Sequence, residues 1–309
     1  MPPLHRFFTP WLRSGLLAFL CAALGCSVRA ATVTVYHPPP EVSQDLRNIY
    51  QTRLLALALK KAGGQFVAEP AARVMPKARA IIELAQGVPG IDILWAMTNV
   101  ERELQLLPIR IPIDKGLGGW RIALVRRQDA DRLSVVQDVT ELKPLLAGQG
   151  HDWPDLKILQ AAGLTVTGVN SYVGLFSMLG RGRIDYLPRG INEVASEMNL
   201  LRTADLVVDE HIALHYPAAM YFFVSRSRPD LALAVQQGLE LAIKDGSFEA
   251  LFQSVHGARL KAARVQRRRV IELPNPYLPA QTPLQRAELW WRPLEAETAA
   301  APGSKPAQR

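Results

Sequence analysis

Thr32–Val67, TVTVYHPPPEVSQDLRNIYQTRLLALALKKAGGQFV, is the stretch on which the fold turns. Thr32 to Tyr36 alternates β-branched residues and reads as a strand, stopped by His37 and Pro38-Pro39-Pro40. From Ser43 to Lys61, Leu46, Ile49/Tyr50, Leu54 and Leu57/Ala58 fall at helical spacing, and Gly63-Gly64 ends the run. Phe66 and Val67 then open a second strand. Strand, helix and strand in this order predict α/β layering around a largely parallel sheet.

The pattern continues outward. Pro76 to Gln86 reads as a helix stopped by Gly87, and Ile91 to Leu94 as a buried strand. Arg121 to Arg126 opens a second strand–helix block. In it, Gly148-Gln149-Gly150 reads as a loop leading into a helix that Asp152 and Pro154 open and Gly163 closes. Leu164–Thr167 and Ile184–Tyr186 read as strands flanking a helix from Tyr172 to Leu179. Tyr221 to Val224 is apolar and aromatic. The helix after it starts at Pro229-Asp230, aligns Leu231, Val235, Leu239 and Ala242/Ile243 on one face, and stops at Asp245-Gly246.

Three stretches resemble the periplasmic solute-binding proteins, in the two-lobed, type II family (family 3-like) that captures polar amino acids for ABC importers. Gly90-Ile91-Asp92-Ile93 followed by Met97-Thr98-Asn99-Val100-Glu101-Arg102 is similar to that family's G-x-x-D…M-T-x-T-x-x-R. Gly182-Arg183-Ile184-Asp185 resembles its GRID strand, and Lys244-Asp245-Gly246-Ser247-Phe248 its DG-(S/T)-(F/Y) helix end. The resemblance covers roughly residues 32 to 258 and implies an α/β, two-lobed fold with a hinge and an inter-lobe cleft. It implies one lobe from residues 31–123 and 224–275 and another from 124–223. Ligands of such folds sit between lobes, near strand carboxyl ends and helix N-termini.

By this resemblance Arg102 is the carboxylate-clamping arginine, with Thr98 as its hydroxyl partner. A guanidinium suits the task because its planar fork gives parallel charge-assisted hydrogen bonds and keeps its proton. The alternative is that Arg102 pairs with Glu101 or Glu103 on a helix face. In the other lobe Gln149 and Gly150 fall where the family sets a glycine loop against the ligand's carboxylate. The family's ammonium-holding aspartate follows its GRID strand, but here Asp185-Tyr186-Leu187-Pro188-Arg189-Gly190 puts Arg189 there. A cation in the cleft attracts an anion, so the solute is not a standard amino acid, or another acid such as Glu193 holds its amine. Tyr36, His37 and Trp95 end strands and are candidate aromatic contacts to the ligand, alongside Trp120.

Composition is ordinary for a globular chain, 49% hydrophobic and 21% charged over 309 residues, which argues against disorder or a cysteine-stapled scaffold. Arg6, Arg13, the apolar run Leu16–Leu24 and Val28-Arg29-Ala30 read as a secretory signal, residues 1–30. Cleavage there takes three of the 36 basic residues and none of the 28 acidic ones, so the net charge falls from +8 to +5. No concentrated basic stripe remains, and nucleic acid is not an expected partner. Both cysteines, Cys21 and Cys26, leave with the signal, unless Ala23-Leu24-Gly25-Cys26 serves as a lipoprotein box and makes Cys26 a lipid anchor.

From Leu273 onward prolines dominate, and residues 276–309 read as a tail, largely disordered at its end, with Leu289-Trp290-Trp291 as an anchor laid on the body. His211 and His215 are spaced i, i+4, but their surroundings read as extended chain, and no metal or cofactor is expected. No Gly-x-Ser-x-Gly elbow occurs, and an enzyme is not expected. The expected function is capture of a small polar or anionic solute, amino-acid-like or a carboxylate, by an exported periplasmic monomer serving an ABC permease. The alternatives are a sensory module for a membrane receptor or kinase, and a dehydratase-like enzyme on the same fold.

Overall fold

A computed structural model describes residues 32–39, 48–201 and 205–293. The expected signal, Cys21, Cys26, helix residues 43–47 and the end of the tail lie outside the described residues. Along the chain come β1 (Val33–His37), α1 (Ile49–Lys61), β2 (Phe66–Pro70), α2 (Lys77–Ala85), β3 (Ile93–Met97), α3 (Val100–Gln105) and β4 (Leu107–Ile109). Next follow β5 (Trp120–Arg126), α4 (Val139–Leu142), β6 (Ala147–Gly150), α5 (Pro154–Ala161), β7 (Val166–Val169), α6 (Tyr172–Gly180) and β8 (Leu187–Gly190). The remainder is α7 (Val194–Leu201), β9 (Leu206–Val208), β10 (Ile212–His215), β11 (Met220–Val224), α8 (Pro229–Lys244), α9 (Ser247–Ala263) and β12 (Arg269–Glu272).

The strands fall into two bodies. In the first, β1 pairs parallel with β2, and β11 runs antiparallel between β3 and β4. In the second, the order is β12-β10-β5-β8 with β9 also on β5, and β6 pairs with β7 beside β8 through the Ala147–Tyr186 bridge. The expected largely parallel sheet is not what forms: β5 is antiparallel to β8, β9 and β10, and β11 to both its neighbours. These are the strands next to the two passages between bodies, where the chain reverses direction.

The chain crosses between bodies at residues 110–119 and again at 216–219, a few residues before the boundaries expected at 123 and 223. Trp120–Ala123 already pairs in the second body, and Met220–Phe223 in the first. The C-terminal stretch also differs from expectation: β12 pairs in parallel with β10 and so belongs to the second body's sheet.

Burial of apolar faces explains the helices. Tyr50, Leu54, Leu55, Ala58 and Leu59 of α1 meet Leu231, Val235, Leu239 and Ala242 of α8 in the largest core cluster. Each fully buried aliphatic or aromatic side chain there contributes about 1.5–3 kcal/mol. The same cluster reaches Ile122, Ile191 and Ala213 of the second body.

Candidate functional site at the junction of the two bodies

In the second body, β5 and β8 lie side by side, with Arg121 opposite Gly190 and Ile122 opposite Arg189. Both arginines are buried, at 6% and 4% exposure, so each needs a counter-charge. The Arg121 guanidinium lies 2.5 Å from Asp155 Oδ1, and donates to Gly118 O at 2.6 Å and to Tyr216 Oη at 2.9 Å. The Tyr216 hydroxyl in turn donates to Asp155. Burial opposes the charge on Arg121, but Asp155, Tyr216 and Glu193 outweigh it and hold its pKa above the ordinary arginine value. Burial likewise raises the Tyr216 phenol well above its usual range.

Arg189 is held as firmly. Its Nε donates to Glu197 Oε2 at 2.8 Å, and its Nη2 to Glu197 Oε1 and, at 3.2 Å, to Glu193 Oε2. The guanidinium lies 4.4 Å from the Trp153 ring and 5.9 Å from Tyr172, within cation–π reach of both. Tyr172 donates to Glu197 at 2.8 Å. Burial opposes this charge too, and Glu197 and Glu193 outweigh it.

Asp155 and Glu197 are buried with an arginine each. Glu193 Oε2 lies 3.2 Å from Arg189 and 4.0 Å from Arg121, and its side chain is 41% exposed. Arg189 is therefore not the anion-attracting cleft cation expected from its position: it is buried and paired with Glu197 and Glu193. Its charge is met by Glu197 and Glu193, and Glu193 is part-exposed, a carboxylate of the kind that accepts hydrogen bonds from an ammonium.

Gln149 and Gly150 lie next to this network but not in a loop. They form β6, whose amides and carbonyls pair with β7, and Gln149 is fully buried, donating to Pro188 O at 3.2 Å. A Cβ on Gly150 would come within 2.4 Å of the Trp153 indole, so glycine is there to admit the ring, not to cradle an anion. The first turn of α5 carries Asp155, which places a carboxylate of the protein's own at that helix N-terminus.

The first body contributes strand ends. His37 ends β1, with Nδ1 2.9 Å from Pro38 O and its ring 5.7 Å from that of Trp95. Trp95 is buried against Phe222, and its indole N–H donates to Asn48 Oδ1 at 3.3 Å. Tyr36, on the opposite face of β1, is 41% exposed. Met97, at the end of β3, would be 3.5 Å from a Cβ on Gly118, whose carbonyl binds Arg121; there the two bodies meet.

Arg102 and Thr98 are not brought together as a clamp. Thr98 is buried and donates to Glu103 Oε1 at 2.7 Å, while Glu103 pairs with Arg110 at 2.6 Å. Arg102 turns its Nη1 back onto Met97 O, its Nε is buried without a partner, and burial lowers its pKa. Neither a clamp nor a helix-face pair with Glu101 or Glu103 describes it, because the open carbonyl at the end of β3 captures the guanidinium first. His211 and His215 are not brought together either: they face Asp131 and Glu272 respectively. Among the described residues no cluster of three metal-ligating side chains occurs, and no helix is long and apolar enough to cross a membrane.

Sequence reasoning missed Arg121, Asp155, Tyr216, Glu197, Trp153 and Tyr172. Arg121 had one signal, a charge inside the otherwise apolar run Trp120–Val125; Glu193 and Glu197 had another, an i, i+4 pair shortly after Arg189.

No protein-family profile and no curated protein matches the chain. Solved structures do. An ancestral arginine-binding protein bound to arginine is similar at a TM-score of 0.52 and 18% identity, covering 73% of this chain and 98% of that one. A histidine kinase sensor domain with similarity to periplasmic binding proteins matches at 0.53 and 17%, covering 73% and 96%. The periplasmic VFT2 domain of Bordetella pertussis BvgS matches at 0.54 and 16%, covering 72% and 93%. At these identities the likeness is one of fold, and the chain adopts the type II, two-lobed fold of periplasmic binding proteins.

Proposed function

We propose that this protein is an exported solute-binding protein that closes its lobes on a small amino-acid-like solute, takes the solute's amino group on Glu193, and delivers it to an ABC permease from the periplasm. The observation that carries this reading is the part-exposed Glu193 carboxylate, 3.2 Å from Arg189 and 4.0 Å from Arg121, beside the lobe junction. In this reading the lobes hinge through residues 110–119 and 216–219, and the first lobe's His37, Trp95 and Asn48, grouped at its strand ends, are assigned to the wall that closes over the solute.

A charge-assisted hydrogen bond of this kind contributes roughly 1.5–3 kcal/mol. Micromolar binding needs about 8 kcal/mol, so ring contacts from the facing wall and further polar contacts supply the remainder. Catalysis has no part in this reading, and the fold neighbours reported above are binding and sensor proteins.

The test is a thermal-shift screen with three sets of solutes: zwitterionic amino acids, the matching amines, and the matching deaminated carboxylates. A true ligand at 100 times its Kd adds about 2.7 kcal/mol of stability. Stabilisation by zwitterions is the expected result; stabilisation by deaminated carboxylates alone overturns it. The sensor reading draws on the kinase and BvgS neighbours, and loss of solute uptake in cells lacking the protein decides for the importer.

A further inference from the structure

Residues 273–291 do not lie loose on one lobe. Leaving β12 in the second lobe's sheet, Leu273 N–H donates to His215 O at 2.7 Å and the Asn275 amide to Pro217 O at 2.8 Å, on the second crossing. The segment then passes to the first lobe, where Arg286 meets Glu240 of α8 with two parallel bonds of 2.6 and 2.9 Å. Leu289 is fully buried and Trp290 packs beside it, both in the core cluster that the two lobes share.

The segment ends on the first crossing. Trp291 N–H donates to Lys115 O at 2.7 Å, and its ring meets Trp120 edge-on at 5.4 Å. The Trp290 ring lies so close to Gly116 that any Cβ there would come within 2.5 Å of it.

That crossing is strained. Lys115 has φ 52° and Gly116 φ 75°, and a left-handed lysine persists only where its surroundings over-determine it. Lys115 is held by Glu249 at 2.5 Å, by the Phe252 ring at 5.4 Å, and by Trp291 through its carbonyl. Both crossings also lead to the site network, through the Gly118 carbonyl on Arg121 and the Tyr216 hydroxyl on Asp155.

We propose that residues 273–291 form a strap that pins both inter-lobe crossings and sets how far the two lobes open. The strap is therefore a conformational control independent of which solute binds. Whatever lifts Trp290 and Trp291 changes the lobe angle, and by linkage the solute affinity changes with it.

The test is spin-label distance measurement between the lobes. Labels go on Lys157→Cys of α5 and Gln236→Cys of α8, both exposed, in the full chain with Cys21 and Cys26 replaced by serine. Two strap variants are compared with this parent: a chain ending at Leu273, and R286A/W291A, which leaves the core tryptophan Trp290 in place. Both are expected to broaden the distance distribution toward longer values, and to speed amide hydrogen exchange at Gly116–Gly119 by about tenfold or more. Should the shortened chain fail to fold, R286A/W291A decides. A folded R286A/W291A whose distances and hinge exchange match the parent's overturns the proposal.

Discussion

Replacing Arg121 by methionine removes the centre of the network on which the site rests. Arg121 is 6% exposed, and its guanidinium bonds to Asp155, Tyr216 and Gly118 O at 2.5, 2.9 and 2.6 Å. The substitution leaves the Asp155 carboxylate buried without a counter-charge, a change that costs about 3–5 kcal/mol. At roughly 2–4 °C per kcal/mol for a chain of this size, the melting temperature falls by about 6–20 °C. Replacing the charges and the phenol together, as R121M/D155L/Y216F, removes the orphaned carboxylate and phenol, leaves the Gly118 carbonyl without the Arg121 donor, and should recover much of that loss, since a buried ion pair is often no better than apolar groups of similar volume. Urea titration of the wild type, R121M and the triple variant reads these differences directly. A loss below about 1 kcal/mol for R121M, or a triple variant clearly worse than the single, would show that Arg121 and Asp155 are not the dry pair described.

Other expectations bear on acid–base behaviour and packing. Burial raises the Asp114 carboxyl to about 6, against hydrogen bonds from Gly116 and Gly118, so the folded state holds this proton more tightly than the unfolded one. Its contribution is present below the unfolded carboxylate range and fades as pH rises through 6, by about 3 kcal/mol; D114N should abolish that fall in a stability–pH profile, and an unchanged profile contradicts it. His256, packed 4.6 Å from Tyr50 and 5.2 Å from Phe252, behaves oppositely: burial, then Arg259, lowers it to about 4. Stability from its neutral form is present above 6.5 and lost as pH falls through 4, so H256F should lose about 2–3 kcal/mol less on acidification, measured by thermal melts at stepped pH. Leu54, fully buried between α1 and α8, should cost about 2–5 kcal/mol as L54A in urea unfolding, and a cost under 1 would place it outside the core.

The elements legible in the sequence were those whose apolar side chains repeat at a fixed period. Helices α1 and α8 announce themselves through Leu54, Ala58, Leu231, Val235 and Leu239, which the structure buries against one another. Strand β6 gave no such signal: Gly148 and Gly150 have no side chains to show alternation, and their role is to admit Ile184 and Trp153. The direction of strands was also hidden, because periodicity carries no polarity, and the reversals at residues 110–119 and 216–219 depend on tertiary contacts. At the site, Arg189 was visible as a residue but not as a satisfied one. Its partners Glu197 and Trp153 lie on α7 and before α5, and only packing brings them to one guanidinium. The proline-rich stretch after Leu273 reads by composition as unable to order itself. It is ordered through Arg286, Leu289 and the two tryptophans, a few strong contacts that an average over the segment dilutes.

Calorimetric titration of the wild type and of E193Q, with the zwitterion that best stabilises the protein, measures what the Glu193 carboxylate contributes to holding the amine. Exchanging carboxylate for amide keeps the shape but removes the charge, and loss of a charge-assisted bond of roughly 1.5–3 kcal/mol predicts binding weaker by about 10- to 150-fold. Equal affinity in the two proteins, or tighter binding of the deaminated carboxylate than of the zwitterion by the wild type, would show that Glu193 does not hold an amine.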